Sequence, residues 1–151
     1  MPKIDVAHAP LKTGSRYPKP FDAPCRDKSR RKLAEAAGLT RLGINLLELS
    51  PGAWSSQRHW HDRTDEFVWV VEGEVTLVTN AGEQTLRAGE CAAFRGGDPD
   101  AHHLQNRSER RALVLEVGSR EPHDEITTYS DIDMVATPTG YFRQDGSPYA
   151  K

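Results

Sequence analysis

The tightest constraint in this chain is the spacing of its turn signals between Pro51 and Gly118. Pro51-Gly52, Glu72-Gly73, Asn80-Ala81-Gly82, Ala88-Gly89 and Gly96-Gly97-Asp98-Pro99-Asp100 cut it into runs too short for helices but long enough for strands. The runs are rich in β-branched and aromatic residues, as in Glu66–Val71. Thr40–Leu49, Ser55–His61, Glu74–Thr79, Glu83–Leu86, Glu90–Phe94, His102–Asn106, Arg111–Val117 and Ile126–Tyr129 complete the expected set. Strands at this interval indicate an antiparallel sandwich or barrel rather than βαβ units, so the expected class is all-β.

The flanks differ in composition. Residues 1–28 carry Pro2, Pro10, Pro18, Pro20 and Pro24, which favours an extended N-terminal arm. Residues 136–151 carry Pro138, Gly140, Gly146 and Pro148, a turn-rich tail expected to pack on or near a barrel spanning 29–135. One short helix is expected at Ser29–Ala37, capped by Ser29 and ended by Gly38. On that reading Arg26, Lys28, Arg30, Arg31 and Lys32 are a solvated helix start, with a phosphate-binding patch as the alternative. The chain has 151 residues, a formal net charge of -2 and two cysteines, Cys25 and Cys91. These values argue against a nucleic-acid footprint, a polybasic membrane patch and a secreted disulfide scaffold, and no apolar run approaches a membrane span. Met1-Pro-Lys-Ile-Asp has no signal-peptide core, so a soluble cytoplasmic protein is expected. Both cysteines read as free thiols, Cys91 as a small core residue.

The chemistry concentrates at His59, His61 and Glu66. Residues two apart on a strand share a face, so both imidazoles project together and Trp60 points away. Ser55 and Gln57 have the same parity and would line the same interior. Glu66 starts the next strand, and His102 with His103 supplies a remote candidate, of which at most one readily faces inward. Two imidazoles and a carboxylate on one side of a sheet suit a divalent transition metal. The competing reading is a pair of hydrogen-bonded histidines without a metal. His8 and His123 sit in polar context and are read as ordinary side chains. Glu116 is either an acid or base near the mouth or a paired glutamate.

Gly52-x6-His59-x-His61-x4-Glu66-x6-Gly73 resembles the first cupin motif, and Gly89-x7-Gly97-x4-His102-x3-Asn106 resembles the second. In the second, Arg95 stands at the usual proline position, and four residues instead of two separate Gly97 from His102. The three-residue gap to Asn106 favours His102 over His103 as the matching histidine. The resemblance implies a jelly-roll barrel, or double-stranded β-helix. It also implies one divalent transition metal per chain (iron, manganese, nickel, zinc or copper) on His59, His61, Glu66 and His102, with positions left open for a ligand. Ser55, Gln57 and Asn106 would line the pocket. The expected function is a metal-dependent enzyme acting on a small oxygenated or anionic metabolite by dioxygenase, isomerase or lyase chemistry. The alternatives are a non-catalytic cupin that binds or senses a sugar or metabolite, and a structural metal without turnover. Phe67, Trp69 and Val71, together with Trp60, would form an apolar outer surface, covered either by the chain's own N-terminal arm or, as the resemblance favours, in a homodimer.

Overall fold

Alternation of buried and exposed residues along the strands builds two antiparallel layers that face each other across one core. The computed structural model describes residues 2–120 and 124–150; Met1, His123 and Lys151 lie outside the described residues. The first layer contains β1 (Leu11–Thr13), β2 (Lys28–Lys32), β3 (Leu42–Leu49), β5 (Glu66–Glu72), β8 (Cys91–Phe94) and β10 (Ala112–Ser119), in the order β1-β2-β3-β10-β5-β8. The second contains β6 (Glu74–Thr79), β7 (Gly82–Arg87) and β9 (His103–Gln105), ordered β7-β6-β9. Beside them stand β4 (His59–His61), β11 (Thr127–Tyr129), β12 (Met134–Thr137) and β13 (Gly140–Phe142), ordered β13-β12-β11-β4. A bridge between His59 and His102 joins these two groups. This is the all-β jelly-roll that the sequence leads one to expect, with one short helix, α1 (Leu33–Ala36).

The core forms where the inner faces meet. Leu47, Leu49, Val68, Val70, Ala112 and Val114 from the first layer pack against Val75, Leu77, Leu86 and Leu104 from the second. Burying each of the larger aliphatic side chains contributes on the order of 2 kcal/mol. This apolar plug closes one end of the barrel. Toward the other end the same inner face turns polar: Glu116 follows Val114 on β10, and Glu66 precedes Val68 on β5.

Several expectations are corrected. The helix expected over Ser29–Ala37 is a strand up to Lys32, followed by a single helical turn in which Lys32, not Ser29, holds the N-cap position. Lys28–Lys32 pairs with β1 on one side and β3 on the other, and those backbone hydrogen bonds outweigh the helix propensity of Leu33-Ala34-Glu35-Ala36. The basic residues are therefore not a solvated helix start: Lys28 is only 9% exposed. The tail carries β13 and the end of β12, two strands beyond the expected set. Cys91 is exposed rather than in the core, because it pairs with Trp69 on the outer face of β8; Cys25 is buried, and both are free thiols. Trp60 belongs to the second layer and so does not join Phe67, Trp69 and Val71 on the outer face of the first. No helix among the described residues is long and apolar enough to cross a membrane.

Candidate metal centre and its cavity

β4 is paired with β11, which sets His59 opposite Tyr129 and His61 opposite Thr127. The connection from His61 to Glu66 is pinned at both ends. The Ile126 N–H donates to Asp62 Oδ1 at 2.9 Å, and the Gly96 N–H donates to Asp65 Oδ1 at 2.8 Å. The Gly97 N–H reaches the His61 carbonyl at 2.8 Å, so the loop before His102 is tied to the strand that carries the first two histidines.

The side chains converge. His59, His61 and Glu66 each offer a ligand atom, all within 4.8 Å of one another. Glu66 Oε1 lies 2.9 Å from His61 Nε2, 3.1 Å from His102 Nε2 and 3.6 Å from His59 Nε2. Three imidazole nitrogens thus surround one carboxylate oxygen. The far sides of the rings fix their orientation. His59 Nδ1 donates to the Gln57 carbonyl at 2.8 Å, which leaves Nε2 with its lone pair toward the cluster. His61 Nδ1 stands 3.0 Å from Thr127 Oγ1 and 3.2 Å from Glu125 Oε1, and Glu125 is itself held by the Thr64 N–H and hydroxyl. The His102 ring stacks on Phe94, with centroids 3.5 Å apart and planes 4° from parallel. His103 turns away: its Nδ1 donates to the Ser56 carbonyl at 2.8 Å, Gln105 Nε2 lies 3.0 Å from its Nε2, and its ring meets Trp54 edge-on.

Burial alone would push the Glu66 carboxyl up, but His102, His59 and His61 outweigh it and hold the group far below the usual carboxylate range. Burial lowers His59 below its ordinary value despite Glu66. An ionised carboxylate beside a neutral imidazole is the protonation pattern a metal ion requires. The nitrogen and oxygen donors, with Nδ1 of His59 fixed from behind, fit a borderline divalent cation and not a calcium or thiolate site.

The cluster opens into a cavity of about 220 Å³, below the usual range for drug-sized ligands and suited to a small metabolite. Ser55 lines it; the Ser55 hydroxyl accepts the Leu104 N–H at 2.9 Å. Gln57 and Asn106 do not line it as expected. The Gln57 amide donates to the Phe21 carbonyl at 2.8 Å, and fully buried Asn106 donates to the Leu49 and Arg110 carbonyls at 2.9 and 2.8 Å, closing a turn. Glu116 points inward and is paired with Arg30, whose Nε and Nη2 donate to its two oxygens at 2.7 and 3.2 Å. Lys12, Arg16, Tyr17, Lys28, Tyr129 and Tyr141 are lining residues that sequence reasoning missed. One signal was available: basic residues at 28, 30 and 32 recur with the period of a strand, not of a helix.

A family model described as "Cupin domain" matches residues 45–118. A solved structure of a sugar phosphate isomerase from a cupin superfamily, from Silicibacter pomeroyi, is similar at 42% identity and a TM-score of 0.93, covering 99% of this chain and 97% of that one. A candidate sugar phosphate isomerase from Acidithiobacillus ferrooxidans shares 23% identity at a TM-score of 0.70, over 76% of this chain and 74% of its own. The polyketide cyclase RemF from Streptomyces resistomycificus shares 20% identity at a TM-score of 0.65, over 80% of each chain. The last two show the fold alone. No curated protein matches the chain significantly.

Proposed function

The chain belongs to the cupin superfamily, and from that premise we propose that it is a metal-dependent isomerase of small phosphorylated sugars. The observation that carries the reading is the convergence of His59, His61, His102 and Glu66 in a small cavity whose other wall is basic. The similarity to a protein described as a sugar phosphate isomerase extends over 99% of this chain and favours isomerase over dioxygenase or lyase chemistry. A divalent cation held by these four residues would polarise a carbonyl or hydroxyl oxygen of the substrate as a Lewis acid.

The remaining work falls to the chain's own groups. Val68 and Phe94 give the cavity its apolar wall beside the histidines, and the Phe94 ring stacks on His102 and fixes its orientation. Burial raises the Tyr17 and Tyr129 hydroxyls above their ordinary value, so both keep their protons at neutral pH and serve as hydrogen-bonding groups rather than bases. Glu116, anchored by Arg30, is the lining carboxylate outside the histidine cluster and is assigned the proton-carrying role.

The active form is proposed to be a cytoplasmic homodimer. Across the outer face of the first layer, register aligns Leu46, Leu115, Trp69 and Cys91 in one row and Ile44, Val117, Phe67 and Ala93 in the next. Trp69 and Val71 are 43% and 50% exposed, and an apolar face running across four strands suits a second copy related by a two-fold axis. Two free thiols accord with a reducing compartment.

The test pairs elemental analysis with turnover. Protein purified without added metal should carry about one transition metal per chain. It should also interconvert an aldose phosphate and its ketose partner, followed by NMR. The His59→Ala, His61→Ala double variant should lose both. Equal metal in parent and variant, or a metal-loaded parent inert toward a panel of pentose and hexose phosphates, would overturn the reading.

A further inference from the structure

On the first layer's inner face, Lys12 of β1 stands directly opposite Arg30 of β2. Like charges placed opposite each other across a ladder repel, and a protein-only structure gains nothing from the arrangement. Lys28 lies two residues from Arg30 on the same face and is only 9% exposed. Its Nζ donates to the Ser55 carbonyl at 2.7 Å, and Arg30 Nη2 reaches the same carbonyl at 3.0 Å. The Gly14 N–H then donates to the Lys28 carbonyl at 2.9 Å and turns the chain so that Arg16 and Tyr17 return to the cavity. Tyr17 fastens this return. Its hydroxyl accepts the Gln57 N–H at 3.3 Å, and its ring packs against Tyr129 and Tyr141 with centroids 5.5 Å away in each case.

The charges in this wall do not balance. Arg30 is satisfied by Glu116. Among the described residues, no carboxylate lies within ion-pair distance of Lys12, Arg16 or Lys28. Three cations beside one small cavity, one of them nearly buried, form an anion seat whose mutual repulsion a multiply charged oxyanion would relieve. The seat comes from residues 12–28, outside the 45–118 stretch that matches the family model.

We propose that Lys12, Arg16 and Lys28 seat the phosphate group of the ligand, so that the N-terminal segment selects phosphorylated over neutral sugars while the histidine cluster handles the oxygenated end. This rests on the sugar-phosphate reading of the cavity and names the residues that make the selection.

The probe is inorganic phosphate, titrated calorimetrically into the parent, the Lys12→Gln, Arg16→Gln double variant, the Lys28→Met variant and the metal-site variant His59→Ala, His61→Ala. Circular dichroism and thermal melting establish that each is folded. Saturable phosphate binding is expected in the parent. It should weaken by about tenfold or more in the double variant and again in Lys28→Met, the size expected for lost charge-assisted contacts. It should persist in the metal-site variant, because the seat does not use the histidines. Acetate should bind the parent more weakly than phosphate. No saturable binding, unchanged affinity in the basic-residue variants, acetate matching phosphate, or loss of binding confined to the metal-site variant would each overturn the seat. Should metal content or turnover fail while phosphate binding behaves as stated, the isomerase reading falls and the seat stands.

Discussion

His59 and His102 exchange both of their backbone hydrogen bonds: the His59 N–H donates to the His102 carbonyl at 3.1 Å, and the His102 N–H donates to the His59 carbonyl at 2.9 Å. Two histidines 43 positions apart in the sequence are thereby locked as an antiparallel pair, with ring centroids 4.9 Å apart. The bridge that joins the two strand groups of the second layer is the same bridge that brings the remote imidazole to the first two.

That lock separates the two adjacent histidines. His102→Ala should abolish stoichiometric metal binding, whereas His103→Ala should leave metal content near the parent's, because His103 is occupied by the Ser56 carbonyl, Gln105 and Trp54. Elemental analysis of the two variants, purified side by side, decides. Metal retained by His102→Ala and lost by His103→Ala would reverse the assignment.

Lys28 carries a pH signature. Burial, then the neighbouring Arg30, brings its ammonium down from 10.5 to about 8; Lys12 adds to the lowering, while Cys25 and Glu116 oppose it. Because the folded-state value is depressed, the unfolded chain binds more protons between about 8 and 10.5. The charged side chain therefore costs stability in full below pH 8, and the cost is relieved as pH rises toward 10.5. Lys28→Met should be more stable than the parent at pH 7 by on the order of 1–3 kcal/mol, with the difference shrinking toward pH 10. Urea unfolding of both proteins at the two pH values measures it. A difference independent of pH would show that the lysine is not held at a depressed value.

Gly96 should tolerate no side chain. A Cβ there would lie 2.3 Å from the Arg63 carbonyl oxygen and 3.0 Å from the Thr64 nitrogen, both backbone atoms of the loop that delivers Glu66. Gly96→Ala is expected to cost about 2–4 kcal/mol and to reduce metal affinity with it. Gly52→Ala serves as the comparison, because its φ of +86° is strained but a Cβ would meet nothing within 4 Å. Equal melting temperatures for Gly96→Ala and the parent would refute the steric argument.

The apolar outer rows predict an oligomer that a single charge can break. Trp69→Asp should convert the dimer to a folded monomer at micromolar concentration, as sedimentation velocity would show. Thr85→Asp, on exposed β7 of the opposite layer, should leave the assembly unchanged. A parent that sediments as a monomer would remove the dimer.

Much of the first ligand set could be read from the chain because it depends on local geometry. His59 and His61 share a face through the two-residue period of a strand, and Glu66 opens the next strand after a four-residue loop. The carboxylate is not on the same side of one sheet as expected, because β4 and β5 belong to different sheets and Glu66 meets the histidines across the barrel. The turn glycines at 73, 82 and 89 were legible from local geometry too, and all three have positive φ. Strand periodicity alone did not choose between His102 and His103, and only the motif-like gap to Asn106 favoured His102. A one-residue shift in strand register exchanges the two faces, and the register is set by backbone bonds to His59 far away in sequence. Likewise, Leu33-Ala34-Glu35-Ala36 has helix propensity that extends the expected helix back to Ser29, whereas Lys28–Lys32 is a strand because β1 and β3 supply partners on both sides. The amino-acid sequence alone determined an all-β chain with a His-x-His pair on one strand face and a carboxylate opening the next strand. Tertiary structure decided which remote histidine joins them and which cations share their cavity, since long-range pairing, not local preference, dictates where an inward face begins and ends.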